Sequence, residues 1–123
     1  MSDELSRLPP NVQERLLRLQ QLQQTLQSIL AQKQQVEMEK TEVEQTVAEL
    51  QKTAEDAVIY KAIGSLLVKA EKTKVTEELV ERKELLDTRS TVLARQEERM
   101  RSQIKEAQTK LQEDLSPVSQ PSS

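Results

Sequence analysis

The stretch Ala57-Val58-Ile59-Tyr60-Lys61-Ala62-Ile63-Gly64-Ser65-Leu66-Leu67-Val68-Lys69-Ala70 decides the reading of this 123-residue chain. It holds the chain's one glycine and its one aromatic residue. Glycine takes φ > 0 without steric cost, so Gly64 marks a turn. Val58, Ile59 and Tyr60 precede it, and Leu66, Leu67 and Val68 follow. All but the leucines are strong β-formers, so the window predicts a β-hairpin. Side chains alternate along a strand, which puts Ile59 opposite to Val58 and Tyr60, and Leu67 opposite to Leu66 and Val68. Both faces are then apolar. An isolated two-stranded hairpin is marginal in water, and one that is apolar on both sides calls for a partner. Val58, Ile59, Tyr60, Ile63, Gly64, Leu66, Leu67 and Val68 are therefore the candidate oligomerisation residues.

Outward from the hairpin, the chain is helical in character. Pro9-Pro10 suits a first helical turn, where the missing N–H would have no partner in any case. Neither Pro nor Gly recurs before the hairpin. A heptad with a at Val12, Leu19, Leu26, Lys33, Lys40, Val47 and Ala54, and d at Leu8, Arg15, Leu22, Ile29, Val36, Val43 and Leu50, is apolar at 11 of 14 positions. A repeat sustained this long predicts a coiled coil rather than a plain amphipathic helix. Lys33 and Lys40 interrupt the a column and predict a weaker middle segment. Leu16 and Leu30 fall at e, where they widen the stripe; Leu16, near the free end, is also a candidate contact for a binding partner.

The first arm is expected over 9–55, closed by Glu55-Asp56, whose charges oppose the dipole at a helix C-terminus. The hairpin takes 57–70. A second arm is expected over 74–114, with Thr73 as a candidate N-cap. Leu79, Leu86, Leu93, Met100 and Ala107 recur every seven residues there. Val75, Leu85, Val92, Ile104 and Leu111 flank them, and Arg82, Arg89, Gln96 and Gln103 are read as the alternate, polar seam column. Glu78–Arg82, Glu97–Arg101 and Glu106–Lys110 have the spacing of helical ion pairs. Residues 115–123, rich in Ser and Pro, are expected to be a disordered tail. Two arms joined by so short a link must fold back on one another. The expected fold class is mostly α: a single domain in which a long antiparallel two-helix coiled coil carries a central hairpin that joins an intersubunit β-barrel.

Composition narrows the function. Aromatics are 1% and charged residues 32%, the profile of long helices rather than of a thick core. With neither His nor Cys, the common metal ligands and nucleophile–base pairs are missing, and one glycine makes no phosphate loop. No catalytic, cofactor-binding or metal site is expected, and the chain is read as a binding protein, not an enzyme. A net charge of −3 with mixed signs and one aromatic gives no basis for a nucleic-acid partner. No apolar run is long enough for a membrane span, and the polar, acidic start is unlike a secretory signal. A cytoplasmic location is expected.

A family resemblance rests on specific residues. Leu8-Pro9-Pro10-Asn11-Val12-Gln13, Gln20-Gln21-Leu22-Gln23-Gln24, Gln32-Lys33-Gln34, Arg95-Gln96-Glu97 and above all the 57–69 hairpin resemble the prefoldin family of archaeal and eukaryotic chaperones. One hairpin rather than two is similar to the β type. The resemblance covers nearly the whole chain short of the tail. It implies a hexamer of two α-type and four β-type subunits, with hairpins paired into a double β-barrel and six coiled coils hanging from it. It further implies ATP-independent holding of unfolded client proteins by the arm tips, and delivery to a group II chaperonin. On that basis Leu5, Leu8, Val12 and Leu16 from one end, with Ile104, Leu111 and Leu115 from the other, are the candidate client-binding residues. Met100 is read as a seam residue that could lend the same surface plasticity. The competing reading is a structural coiled-coil adaptor or tether for a specific helical partner. A tether has no use for a Gly-centred β insert in its rod.

Overall fold

The computed structural model describes residues 7–115, so Leu5 and residues 116–123 lie outside the described residues. The element order is α1 (Pro10–Gln51), β1 (Ile59–Ile63), β2 (Leu66–Ala70) and α2 (Lys72–Leu115). Helix α1 starts as the Pro-Pro pair predicts. The Pro9 carbonyl accepts from the backbone N–H of Val12 (3.0 Å) and of Gln13 (3.1 Å). The helix stops at Gln51, short of the expected position 55. Past Gln51 the backbone bonds tighten to i→i−3: the Lys52 N–H donates to the Glu49 carbonyl (3.2 Å), and both the N–H (3.1 Å) and the hydroxyl (2.6 Å) of Thr53 donate to the Leu50 carbonyl. Glu55 and Asp56 instead occupy a turn in the connector 52–58.

Helix α2 begins at Lys72, earlier than expected, so Thr73 is not its N-cap. The carbonyl of Glu71 accepts the Val75 N–H at 3.0 Å, which makes Glu71 the cap residue. One residue thus joins β2 to α2, whereas seven (52–58) join α1 to β1. At the other end α2 continues through Leu115.

The chain divides into two compact units. Among the described residues, unit 1 comprises 7–31 and 94–115, and unit 2 comprises 32–93. In unit 2 the helices run antiparallel. Lys40 meets Asp87 (2.9 Å), Glu44 meets Lys83 (3.7 Å), Glu39 meets Arg82 (2.7 Å) and Ser90 donates to Glu37 (3.0 Å). Their core is Val36, Leu50, Leu86 and Leu93. In unit 1, Val12, Leu22, Ile29 and Ile104 are buried. The α1 seam follows the expected heptad: Val12, Leu22, Ile29, Val36 and Leu50 are buried, Leu8, Arg15, Leu19, Leu26, Lys33, Lys40, Val43 and Val47 are part-buried, and Ala54 is exposed outside the helix.

The α2 seam is phased differently from expectation. Beside Leu79, Leu86, Leu93, Met100 and Ala107, the second inward column is Thr76, Lys83, Ser90, Glu97, Ile104 and Leu111. Arg82, Arg89 and Gln96 are exposed, as are Val92 and Leu85, the last at 64%. The expected Glu78–Arg82 pair does not form, because Glu78 holds Lys61 of β1 (2.6 Å) and Arg82 reaches Glu39. The pairs Glu97–Arg101 (2.8 Å) and Glu106–Lys110 (3.4 Å) are present.

Candidate functional site

The hairpin turns on Gly64-Ser65, with Ile63 paired to Leu66, Ala62 to Leu67, Lys61 to Val68, Tyr60 to Lys69 and Ile59 to Ala70. Gly64 has φ +59°, and among the described residues no other residue has positive φ. A positive φ at the first loop position alone is the type II′ turn, whose twist matches that of the strands.

This loop length fixes the hydrogen-bonding phase. Ile63 and Leu66 flank a two-residue turn and so form a hydrogen-bonded pair; pairs then alternate along the ladder. Ile59, Lys61, Ile63, Leu66, Val68 and Ala70 direct their amides inward. Tyr60 and Ala62 on β1, and Leu67 and Lys69 on β2, direct theirs outward. The sheet has two strands only, so both outward rows are unpaired within the chain. The side chains show the same incompleteness. Leu67 is 73% exposed and Tyr60 60%, with Val58, Ile63, Leu66 and Val68 also exposed. Ile59 and Ala70 are half-buried. The candidate oligomerisation residues thus place exposed apolar side chains on both faces of a ribbon with two open edges. Lys61 anchors it to α2 through Glu78, and Lys72 Nζ donates to the Thr53 carbonyl (2.8 Å) beneath it. A shallow groove between hairpin and α2 is lined by Lys61, Lys69, Glu71, Lys74 and Glu78, with Ala70 and Val75 as its apolar part.

The candidate client residues lie in unit 1. Val12 is 2% exposed and Ile104 is also buried. Leu8, Leu16 and Leu111 are half-buried, while Leu115 is 51% exposed. Exposed Leu17 adds an apolar side chain that the heptad reading passed over; its place at f, outside the stripe, was the available signal. Where α1 begins and α2 ends, Arg15 Nε forms an ion pair with Asp114 Oδ2, and Asn11 Nδ2 donates to the same oxygen (3.4 Å). Gln13 donates to the Leu8 carbonyl (2.8 Å), which ties the residues before the helix onto its first turn. Sequence reading placed Arg15 at a seam position and Asn11 in the family motif but missed their contact with Asp114, since nothing in spacing links residues a hundred positions apart.

The electrostatics of unit 2 centre on Lys40 and Asp87. The hydrogen bond from the Lys40 ammonium holds the Asp87 carboxyl below its usual range, and the same bond raises Lys40. Among the described residues no group of three carboxylate, His or Cys side chains is placed to hold a metal ion, and no helix is long and apolar enough to cross a membrane.

The profile of the prefoldin subunit family matches residues 13–117. Prefoldin subunit beta of Archaeoglobus fulgidus is 46% identical over 113 residues, covering 92% of this chain and 97% of the relative. Prefoldin subunit beta of Pyrococcus furiosus is 41% identical over 113 residues, with the same coverage. The crystal structure of the prefoldin beta subunit from Thermococcus strain KS-1 superposes with a TM-score of 0.80 at 40% identity, covering 90% of this chain and 97% of that one. Hairpin, helices and sequence agree over most of the chain, which belongs to the prefoldin family of chaperone subunits, in its β type.

Proposed function

We propose that this chain is the β-type subunit of an ATP-independent holding chaperone, assembled as two α-type and four β-type subunits, which keeps unfolded proteins from aggregating and passes them to a group II chaperonin in the cytoplasm. The observation that carries the reading is the hairpin, apolar on both faces and unpaired at both edges. Such a ribbon is completed by neighbouring hairpins, and closure into a barrel leaves no edge exposed. Membership of a chaperone family supports client binding, as does the supply of leucines where α1 begins and α2 ends. Leu5, Leu8, Val12, Leu16, Ile104, Leu111 and Leu115 are the residues proposed to meet the client. Weak contacts of this kind suit many unfolded sequences, and several arms acting together raise avidity without strong single contacts. ATP plays no part in the proposal because the single glycine is used in the hairpin turn and no Gly-rich phosphate loop exists in the sequence.

The test combines mass and activity. Mixed with an α-type prefoldin subunit, the chain is expected to form a complex of hexamer mass by native mass spectrometry. Removal of residues 1–10 together with 111–123 is expected to preserve that mass and abolish suppression of client aggregation. A mixture that stays monomeric and dimeric would refute the assembly; undiminished suppression would move the client site elsewhere.

A further inference from the structure

The end of unit 1 holds a contact that the holding function does not require and that works against it. Asn11 and Arg15 lie one helical turn apart on α1, and both reach across to the single carboxylate of Asp114 in the last turn of α2. Val12, between them in sequence, is 2% exposed. One of the candidate client-binding side chains is thus sealed where two polar side chains draw the helices together. We propose that Asp114, held by Asn11 and Arg15, is a releasable clasp: it keeps the terminal turns closed over Val12 in the empty protein, and client capture proceeds from the opened form. This inference rests on the client-holding reading above.

The strength of the contact suits release. The Arg15 side chain is 38% exposed and that of Asp114 23%, and an ion pair this close to solvent shifts an equilibrium by no more than about five-fold. The Asn11 hydrogen bond is long at 3.4 Å and adds little. Beyond Asp114, Leu115 is already exposed, so a client could engage it first and displace the turn behind it. Capture from a minor open form weakens apparent affinity by the fraction open, so loosening the clasp tightens binding. The contact acts as a filter in which transient apolar encounters leave the end closed and a persistent unfolded chain opens it.

The experiment uses the complex assembled with an α-type subunit, and permanently unfolded, reduced and carboxymethylated lactalbumin as probe. Asp114→Ala is expected to lower the apparent Kd by up to about five-fold with helix content unchanged. Because the chain has no cysteine, Asn11→Cys with Asp114→Cys can be bridged by a short, reducible thiol cross-linker. The bridged protein is expected to bind the probe at least five-fold more weakly than the same protein after reduction. Equal binding in bridged and reduced forms, with capture still abolished by removing residues 1–10 and 111–123, overturns the clasp alone. Capture that survives that truncation overturns the client-holding reading and the clasp with it.

Discussion

Replacing Gly64 by Val tests the hairpin where it is least tolerant. Gly64 sits at φ +59°, and a Cβ placed there meets nothing within 4 Å. A Cβ at this position therefore creates no overlap, and the cost of the substitution at the backbone is conformational. Left-handed backbone costs an L-residue about 1–2 kcal/mol, and β-branching does not lessen that. Per subunit this is about a 5- to 30-fold loss of the hairpin conformer. In the proposed assembly with four β-type chains the cost recurs in each copy, or about 4–8 kcal/mol over the complex. Neither helix contains residue 64, so far-UV circular dichroism should change little. The assay is a titration of the variant with an α-type subunit, followed by native mass spectrometry and light scattering. The expected result is a shift of the assembly midpoint to higher concentration by at least ten-fold, with Gly64→Ala showing the same direction. An unchanged midpoint for Gly64→Val would refute the claim that this turn conformation is required in the assembled protein.

Three further outcomes are expected. Ala62→Pro removes an outward amide without breaking a cross-strand pair, so it should suppress complex formation while helix content is retained; full assembly would show that the β1 edge is unused. Leu86→Ala should lower stability by about 2–5 kcal/mol in urea unfolding, whereas Leu85→Ala, one residue away, should change it by less than about 0.5 kcal/mol; equal losses would refute the phase assigned to α2. Asp87→Asn should lower the melting temperature at neutral pH. The Asp87 carboxyl is held below its ordinary value of 3.8, so its contribution is present above that value and disappears as the pH falls beneath the lowered one. Lys40 is raised above 10.5, so its contribution is lost only in stronger alkali. The difference between wild type and variant should therefore persist from about pH 4 to 10 and vanish in strong acid; a difference that survives in acid would rule out the ion pair as its source.

Much of the fold was legible in the chain because its signals are local. Gly64 between β-forming runs marked the turn, and a two-residue loop then fixes which amides face outward. The α1 heptad showed itself because its columns are largely apolar. The second column of α2 was mis-phased for a physical reason. Residues three and four positions beyond each seam leucine are both polar at Arg82-Lys83, Arg89-Ser90 and Gln96-Glu97, so apolarity cannot choose between them. Ile104 and Leu111, four beyond Met100 and Ala107, carried the answer and were read as flanking. The early stop at Gln51 comes with tightened bonds from Lys52 and Thr53, which no period detects. Val12 stood at a heptad seam position and is buried as that position implies, but the burial of Ile104 escaped the reading, since a leucine-rich end looks alike whether sealed or open until the partner helix is placed against it.

The unequal junctions of the hairpin have a mechanical consequence. A single residue, Glu71, welds β2 to α2, and Lys61 braces the neighbouring strand to the same helix. On the other side, seven residues of turn and coil give α1 slack. A tilt imposed on the ribbon is therefore transmitted most directly along α2, while α1 follows through the longer connector, its side-chain contacts with α2 and the Lys72 hydrogen bond to the Thr53 carbonyl. Stiffening the 52–58 leash with proline would leave the lever intact and remove the play from its follower.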